Sequence, residues 1–212
     1  MSIQGQYIEH TIVFIVLLLS FVVHEYAHGW MANRLGDPTA KLMGRLTLNP
    51  LKHVDLFGTI ILPAFLILLS ILGSPLMPII LAKPVPVNFS RLRNPKRGII
   101  YVGMAGPLIN IFIALIASYL LDLNLGAYPK MVIEYTIVIN LLLAVFNMVP
   151  IPPLDGSRLV MGLLPNKIAS VYSRLEPFGI LIVFVLLPFG LYSKIIWPIV
   201  TISANYLGVQ GL

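Results

Sequence analysis

The chain has 212 residues, 58% of them hydrophobic and only 10% charged, and it contains no cysteine. That composition excludes a water-soluble globule, a disulfide framework and any thiolate metal ligand. The net charge of +6 does not mark a nucleic-acid binder, because the basic residues are confined to connections between apolar runs, a distribution that orients a chain in a membrane.

Met1 to His10 is polar with one acid, Glu9, and His10 reads as an interfacial residue. Thr11 to Asn33 reads as a membrane-spanning helix, since about 20 apolar residues suffice to cross the hydrocarbon layer. Within it lies His24-Glu25-Tyr26-Ala27-His28. At about 100° per residue, His24 and His28 fall one turn apart on one stripe, and Glu25 projects to the same side. Two imidazoles can then share a metal while the carboxylate reaches water bound to it. In a soluble helix the same five residues would equally suit a solvated His-Glu pair. At the centre of a membrane helix an ionisable group costs about 2.5–3.5 kcal/mol and is retained mainly for function. The run is not expected to be a cleavable signal peptide, as no small-x-small site precedes His24.

Gly36-Asp37-Pro38 stops this helix, and Lys41 to Leu48 then reads as a short strand with Leu42, Leu46 and Leu48 on one face. Such a strand could offer an edge to an extended peptide or form a plain surface hairpin. Leu56 to Ala82 is apolar but broken by Pro63, Gly73, Pro75 and Pro78. It is followed by Lys83 to Arg97, with five basic residues and no acid. Basic connections on both flanks favour a segment that dips in and returns over a kinked crossing.

Gly98 to Leu121 is a run of 24 uncharged residues. Its Gly103, Ala105 and Gly106 are small enough for another helix to approach closely, with the first helix as the expected neighbour. Asn110 follows as a polar residue that could serve packing or an active site. Asp122 to Glu134 reads as an external connection, and Tyr135 to Leu154 as a further span. Pro150, Pro152 and Pro153 must unwind its end, and broken backbone at membrane depth is tolerated where it lines a wet cavity or is buried in protein. Asp155 stands at that break. It could merely cap the helix starting at Gly156 or Ser157. A metal with two histidines still needs a ligand, however, and the charge rule brings His28 and Asp155 to the same cytoplasmic side while the other acids fall in connections or on the opposite side. After Arg158, Lys167 and Arg174, Pro177 to Tyr192 makes another apolar pass. Lys194 interrupts it, and Ile195 to Leu207 forms a further short segment.

Three stretches resemble the site-2 protease family of intramembrane zinc metalloproteases. They are His24 to His28, Ala105-Gly106-Pro107-Leu108-Ile109-Asn110, and Asn147 to Gly156, which matches the family's N-x-x-P-x-P-x-L-D-G pattern. With the intervening hydropathy, the likeness covers residues 11 to about 160. Asn49 to Thr59 also looks like a stretch of the compact prokaryotic members, which usually have proline where this chain has Leu56; His53 within it reads as structural. No room is expected for a PDZ or paired CBS module.

The resemblance implies one zinc ion held by His24, His28 and Asp155, with Glu25 as general base and Asn147 holding substrate or, alternatively, bonding the broken backbone. Two histidines and one carboxylate with an open position also suit hydrolysis on physical grounds. The expected fold is an all-α polytopic membrane protein forming a single domain over residues 1–212. It has a core of three transmembrane helices carrying the metal site, a short membrane-associated β element and one or two C-terminal helices. The expected activity is cleavage of peptide bonds within or near transmembrane segments of membrane proteins, in the cell membrane, at a site toward the cytoplasm, with no nucleic-acid partner. A metal-ion transporter using the same His/Asp cluster is the rival reading, and a catalytically silent membrane-protein binder is another.

Overall fold

The computed structural model of the chain describes residues 3–53, 84–123 and 125–210. The expected re-entrant segment Leu56 to Ala82 lies outside the described residues. Among those described, regular structure is helical throughout, and four helices are long and apolar enough to cross a membrane: Tyr7–Arg34, Pro95–Leu120, Ala127–Asn147 and Glu176–Tyr206. Large apolar side chains such as Phe14, Leu19, Phe112, Leu181 and Phe184 are exposed along them. A multi-pass membrane protein presents such faces to lipid.

Helix α1 spans Ile3–Arg34. It ends where Gly36 turns to φ +111°, a conformation that costs glycine least. The Gly36 N–H then bonds the Asn33 carbonyl and the Asp37 N–H bonds the Ala32 carbonyl at 2.9 Å, the paired bonds of a Schellman cap. A single helical turn, α2 (Thr39–Leu42), follows.

No strand forms over Lys41 to Leu48. The Asp37 carboxylate accepts from the Thr39 N–H at 3.0 Å and so starts a helical turn. Gly44 sits at φ +63°, and the Arg45 and Leu46 N–H groups both return to the Ala40 carbonyl. Leu42 and Leu48 end up exposed and share no buried face with Leu46, which packs near Gly29. Alternation of three leucines carries no weight without a neighbouring strand, and capping decided the local structure.

Helix α3 (Pro95–Tyr119) begins at Asn94, whose side chain accepts from the Arg97 N–H, with Pro95 at the first helical position, the usual chemistry of a helix start. Helix α4 (Ala127–Asn147) starts eight residues before the expected Tyr135. Lys130 and Glu134, which suggested a connection, lie one turn apart on it, 3.9 Å from each other and partly exposed. The charges mark where a continuing helix leaves the apolar layer, not where it begins.

The prolines end α4 as expected, and α5 (Asp155–Leu163) then packs against α3. A Cβ at Gly156 would lie 2.2 Å from the Met148 carbonyl oxygen, so only glycine lets α5 fold back this tightly on the end of α4. Helix α6 (Asn166–Ser173) has no buried residue.

The last span comprises α7 (Glu176–Leu186), a wide-coiled stretch Leu187–Ile196, and α8 (Trp197–Tyr206). It breaks at Gly190, where φ is +105°, and not at Lys194. At about 1.5 Å per residue α7 and α8 each rise only about 15 Å, half of a hydrocarbon layer. Helices α1, α3 and α4 pack on one another, and a cluster including Ala114, Ile137, Leu141, Val183, Ile196 and Val200 joins the C-terminal helices to α3 and α4.

Candidate metal centre

His24 and His28 lie on α1 with their imidazoles 4.7 Å apart between ring centres. Their Nε2 atoms are 3.0 Å apart, and each is 3.1 Å from Oδ2 of Asp155, which α5 brings from 127 residues further along the chain. Asp155 itself opens α5, and its preceding residue makes no side-chain cap. Its carboxylate faces the imidazoles instead of capping the helix.

The three helices meet here because α3 presents Gly106 to the histidines. A Cβ at that position would lie 2.4 Å from Nε2 of His28 and 2.5 Å from Nε2 of His24. The small residues of α3 thus admit the rings themselves.

Each ring is held from behind. Nδ1 of His28 donates to the Val102 carbonyl at 2.6 Å, and Nδ1 of His24 lies 2.7 Å from Oδ1 of Asn110. With both Nδ1 atoms protonated, both Nε2 atoms carry lone pairs, and these point at Asp155. Three acceptors at these separations repel one another unless a cation lies among them. Zinc–nitrogen bonds of about 2.0–2.1 Å at a tetrahedral angle put neighbouring ligand atoms about 3.3 Å apart. The donor set and its spacing therefore fit that ion.

Glu25 is buried beside the cluster and lines the same cavity. Its Oε2 accepts from the Val85 N–H at 2.7 Å. Val85 belongs to an irregular strap, Pro84 to Asn88, which crosses the site. At the strap's other end the Asn88 N–H donates to Oδ2 of Asp37 at 2.6 Å, and Asp37 is completely buried. Two carboxylates from α1 and its exit thus pin the strap at both ends.

A cavity of about 250 Å³ opens between these parts, lined by His24, Glu25, His28, Val85, Asn147 and Asp155 among others. Asn147 lines it while giving an amide hydrogen to the Leu143 carbonyl at 2.9 Å. Arg158 stands at its edge, bonded to Glu176 at 2.5 Å with its guanidinium 5.2 Å from the Phe89 ring centre. A larger apolar groove of about 690 Å³ among α4 and the C-terminal helices holds no histidine or carboxylate.

Among the described residues, His24, His28 and Asp155 are the one cluster able to hold a metal ion. Glu25 and Asn147 lie on the same cavity, whereas His53 is bonded through Nε2 to the Thr47 carbonyl. Sequence reasoning missed Val85, Asp37, Asn140 and Ser20. The Val-Pro alternation of the strap carries a faint signal, because only Val85 and Val87 in Pro84-Val85-Pro86-Val87 retain an N–H.

Comparison with known proteins places these residues in a family. Residues 12–128 and 123–189 match peptidase family M50. The chain is 37% identical over 194 residues to a Bacillus subtilis protein named "Putative zinc metalloprotease YwhC", covering 87% of this chain and 83% of that one. It is 28% identical over 216 residues to "Zinc metalloprotease MJ0392" of Methanocaldococcus jannaschii, covering 99% of this chain but only 52% of the relative. No solved structure gives a significant match.

Proposed function

The chain belongs to peptidase family M50, and from that premise we propose how this intramembrane zinc metalloprotease works. A core of three transmembrane helices, α1, α3 and α4, carries the site. His24, His28 and Asp155 hold the zinc; the observation that carries this is the convergence of two imidazole lone pairs and a carboxylate within 3.1 Å. When bound, zinc acts as a Lewis acid and brings the pKa of a coordinated water to about 7.

Glu25 is the general base. With Oε2 held by the Val85 N–H, its other oxygen takes the proton of the attacking water and passes it to the nitrogen of the departing amine. Asn147 orients the substrate backbone along the cavity. The substrate is a transmembrane segment of another protein, unwound locally so that its peptide bond can reach Glu25. Arg34 closes α1, Lys96 and Arg97 open α3, and Arg158 and Lys167 follow the end of α4; this concentration of basic residues supports a site toward the cytoplasmic face of the cell membrane.

The test is the purified Glu25→Gln protein with a panel of single-span peptides. Zinc content is expected to match wild type while cleavage falls by about 10²- to 10⁴-fold. Undiminished cleavage would remove Glu25 from its role. Metal flux through vesicles, equal in both proteins, would instead support the transporter.

A further inference from the structure

Behind His24, on the side away from the cavity, a line of buried polar groups runs between α1, α3 and α4. Asn110 on α3 lies 2.7 Å from Nδ1 of His24 through Oδ1 and donates from Nδ2 to Oδ1 of Asn140 on α4 at 2.9 Å. Asn140 donates from Nδ2 to Oγ of Ser20 on α1 at 2.8 Å and to the Thr136 carbonyl at 2.8 Å. Asn110 and Asn140 are fully buried, and Ser20 is 5% exposed. Two carboxamides at this depth are costly to leave unpaired, and here each is bonded on both its oxygen and its nitrogen.

The line has a direction. A backbone carbonyl only accepts, so the group of Asn140 facing Thr136 is its NH₂. The Asn140 oxygen then faces Asn110, which must answer with its own NH₂. That turns the Asn110 oxygen toward His24, whose Nδ1 must carry the hydrogen, leaving Nε2 with its lone pair toward Asp155. A neutral imidazole has one hydrogen to place, and its position is imposed from the Thr136 carbonyl through two side chains.

We propose that Asn110 and Asn140 are positioning residues that set the tautomer and ring orientation of His24, with Ser20 as a lesser support. The proposal rests on His24 being a zinc ligand. Fixing the outer nitrogen of a ligating histidine typically changes metal affinity by about 10- to 100-fold.

The test uses the full-length protein in detergent, with ¹⁵N-labelled histidine and zinc affinity measured by chelator competition. Wild-type His24 is expected to show one tautomer, protonated at Nδ1; its signal is identified by its loss in His24→Gln. Asn140→Leu is expected to lower zinc affinity by about 10- to 100-fold and to bring in the other tautomer, while helix content stays at the wild-type level. Ser20→Ala leaves Thr136 to orient Asn140 and should change zinc affinity by less than about 3-fold, the tautomer being unaltered. A folded Asn140→Leu protein with wild-type zinc affinity and a single Nδ1–H form would overturn the proposal. So would wild-type His24 protonated at Nε2, a result that needs no variant to fold. Retention of zinc by His24→Gln would instead refute the ligand assignment beneath it.

Discussion

Gly106 decides how near α3 comes to the two histidines. A methyl group there would stand 2.4–2.5 Å from both imidazoles, and forcing one extra carbon into a packed interior costs about 1–3 kcal/mol. If α3 moves away to relieve it, that cost falls on the ion. Gly106→Ala is expected to weaken zinc binding by about 5- to 150-fold, as read by chelator competition, with helix content unchanged. At this scale much of the candidate site's geometry could be read from the chain. His24, Glu25 and His28 announce themselves by spacing, and Asp155 by being the acid at a proline break on the matching side. Asn110 stood out as a polar residue in an apolar helix. Asn140 did not, since a lone asparagine in a long uncharged run has no local partner to give it meaning, and its partners come from two other helices.

At the scale of elements, the strap from Pro84 to Asn88 depends on Asp37 and Glu25 for its placement. Asp37→Ala would remove the shared acceptor of the partly shielded Thr39 and Asn88 N–H groups, at about 0.5–1.5 kcal/mol each. A loss of roughly 1–3 kcal/mol is expected, seen in thermal unfolding, together with faster proteolytic nicking near Asn88 and little change in zinc content. The misread strand at Lys41 to Leu48 has the same origin, because a buried carboxylate shapes that turn and leucine spacing does not. The early start of α4 was hidden by Lys130 and Glu134, which a hydropathy reading takes as a boundary although a helix tolerates them wherever one face meets water. Gly190 was likewise overshadowed by the charge at Lys194, yet the backbone conformation breaks the span.

For the molecule as a whole, the basic connections predict which face lies in the cytoplasm. The chain has no cysteine, so one introduced thiol reports its own side without background. Ser170→Cys on α6 should be labelled by an impermeant maleimide only in inverted vesicles or lysed cells, and Tyr128→Cys at the start of α4 in intact cells. The reverse pattern would place the site on the outer face. Three of the four long apolar helices were legible from hydropathy, whereas the two segments expected at the end form one helix kinked at Gly190. How they meet was legible only in part: the small residues of α3 marked its close approach to α1, whereas the buried amides that join α1, α3 and α4 leave no periodic trace. The cavity beside Glu25 measures about 250 Å³ and is lined on one side by Pro84, Val85 and Val87 of the strap. On the proposed protease reading, a peptide entering there would lie beside irregular backbone and not against a helix face. On that reading, single-span peptides whose helix frays next to the scissile bond are expected to be cut faster than peptides with an unbroken helix.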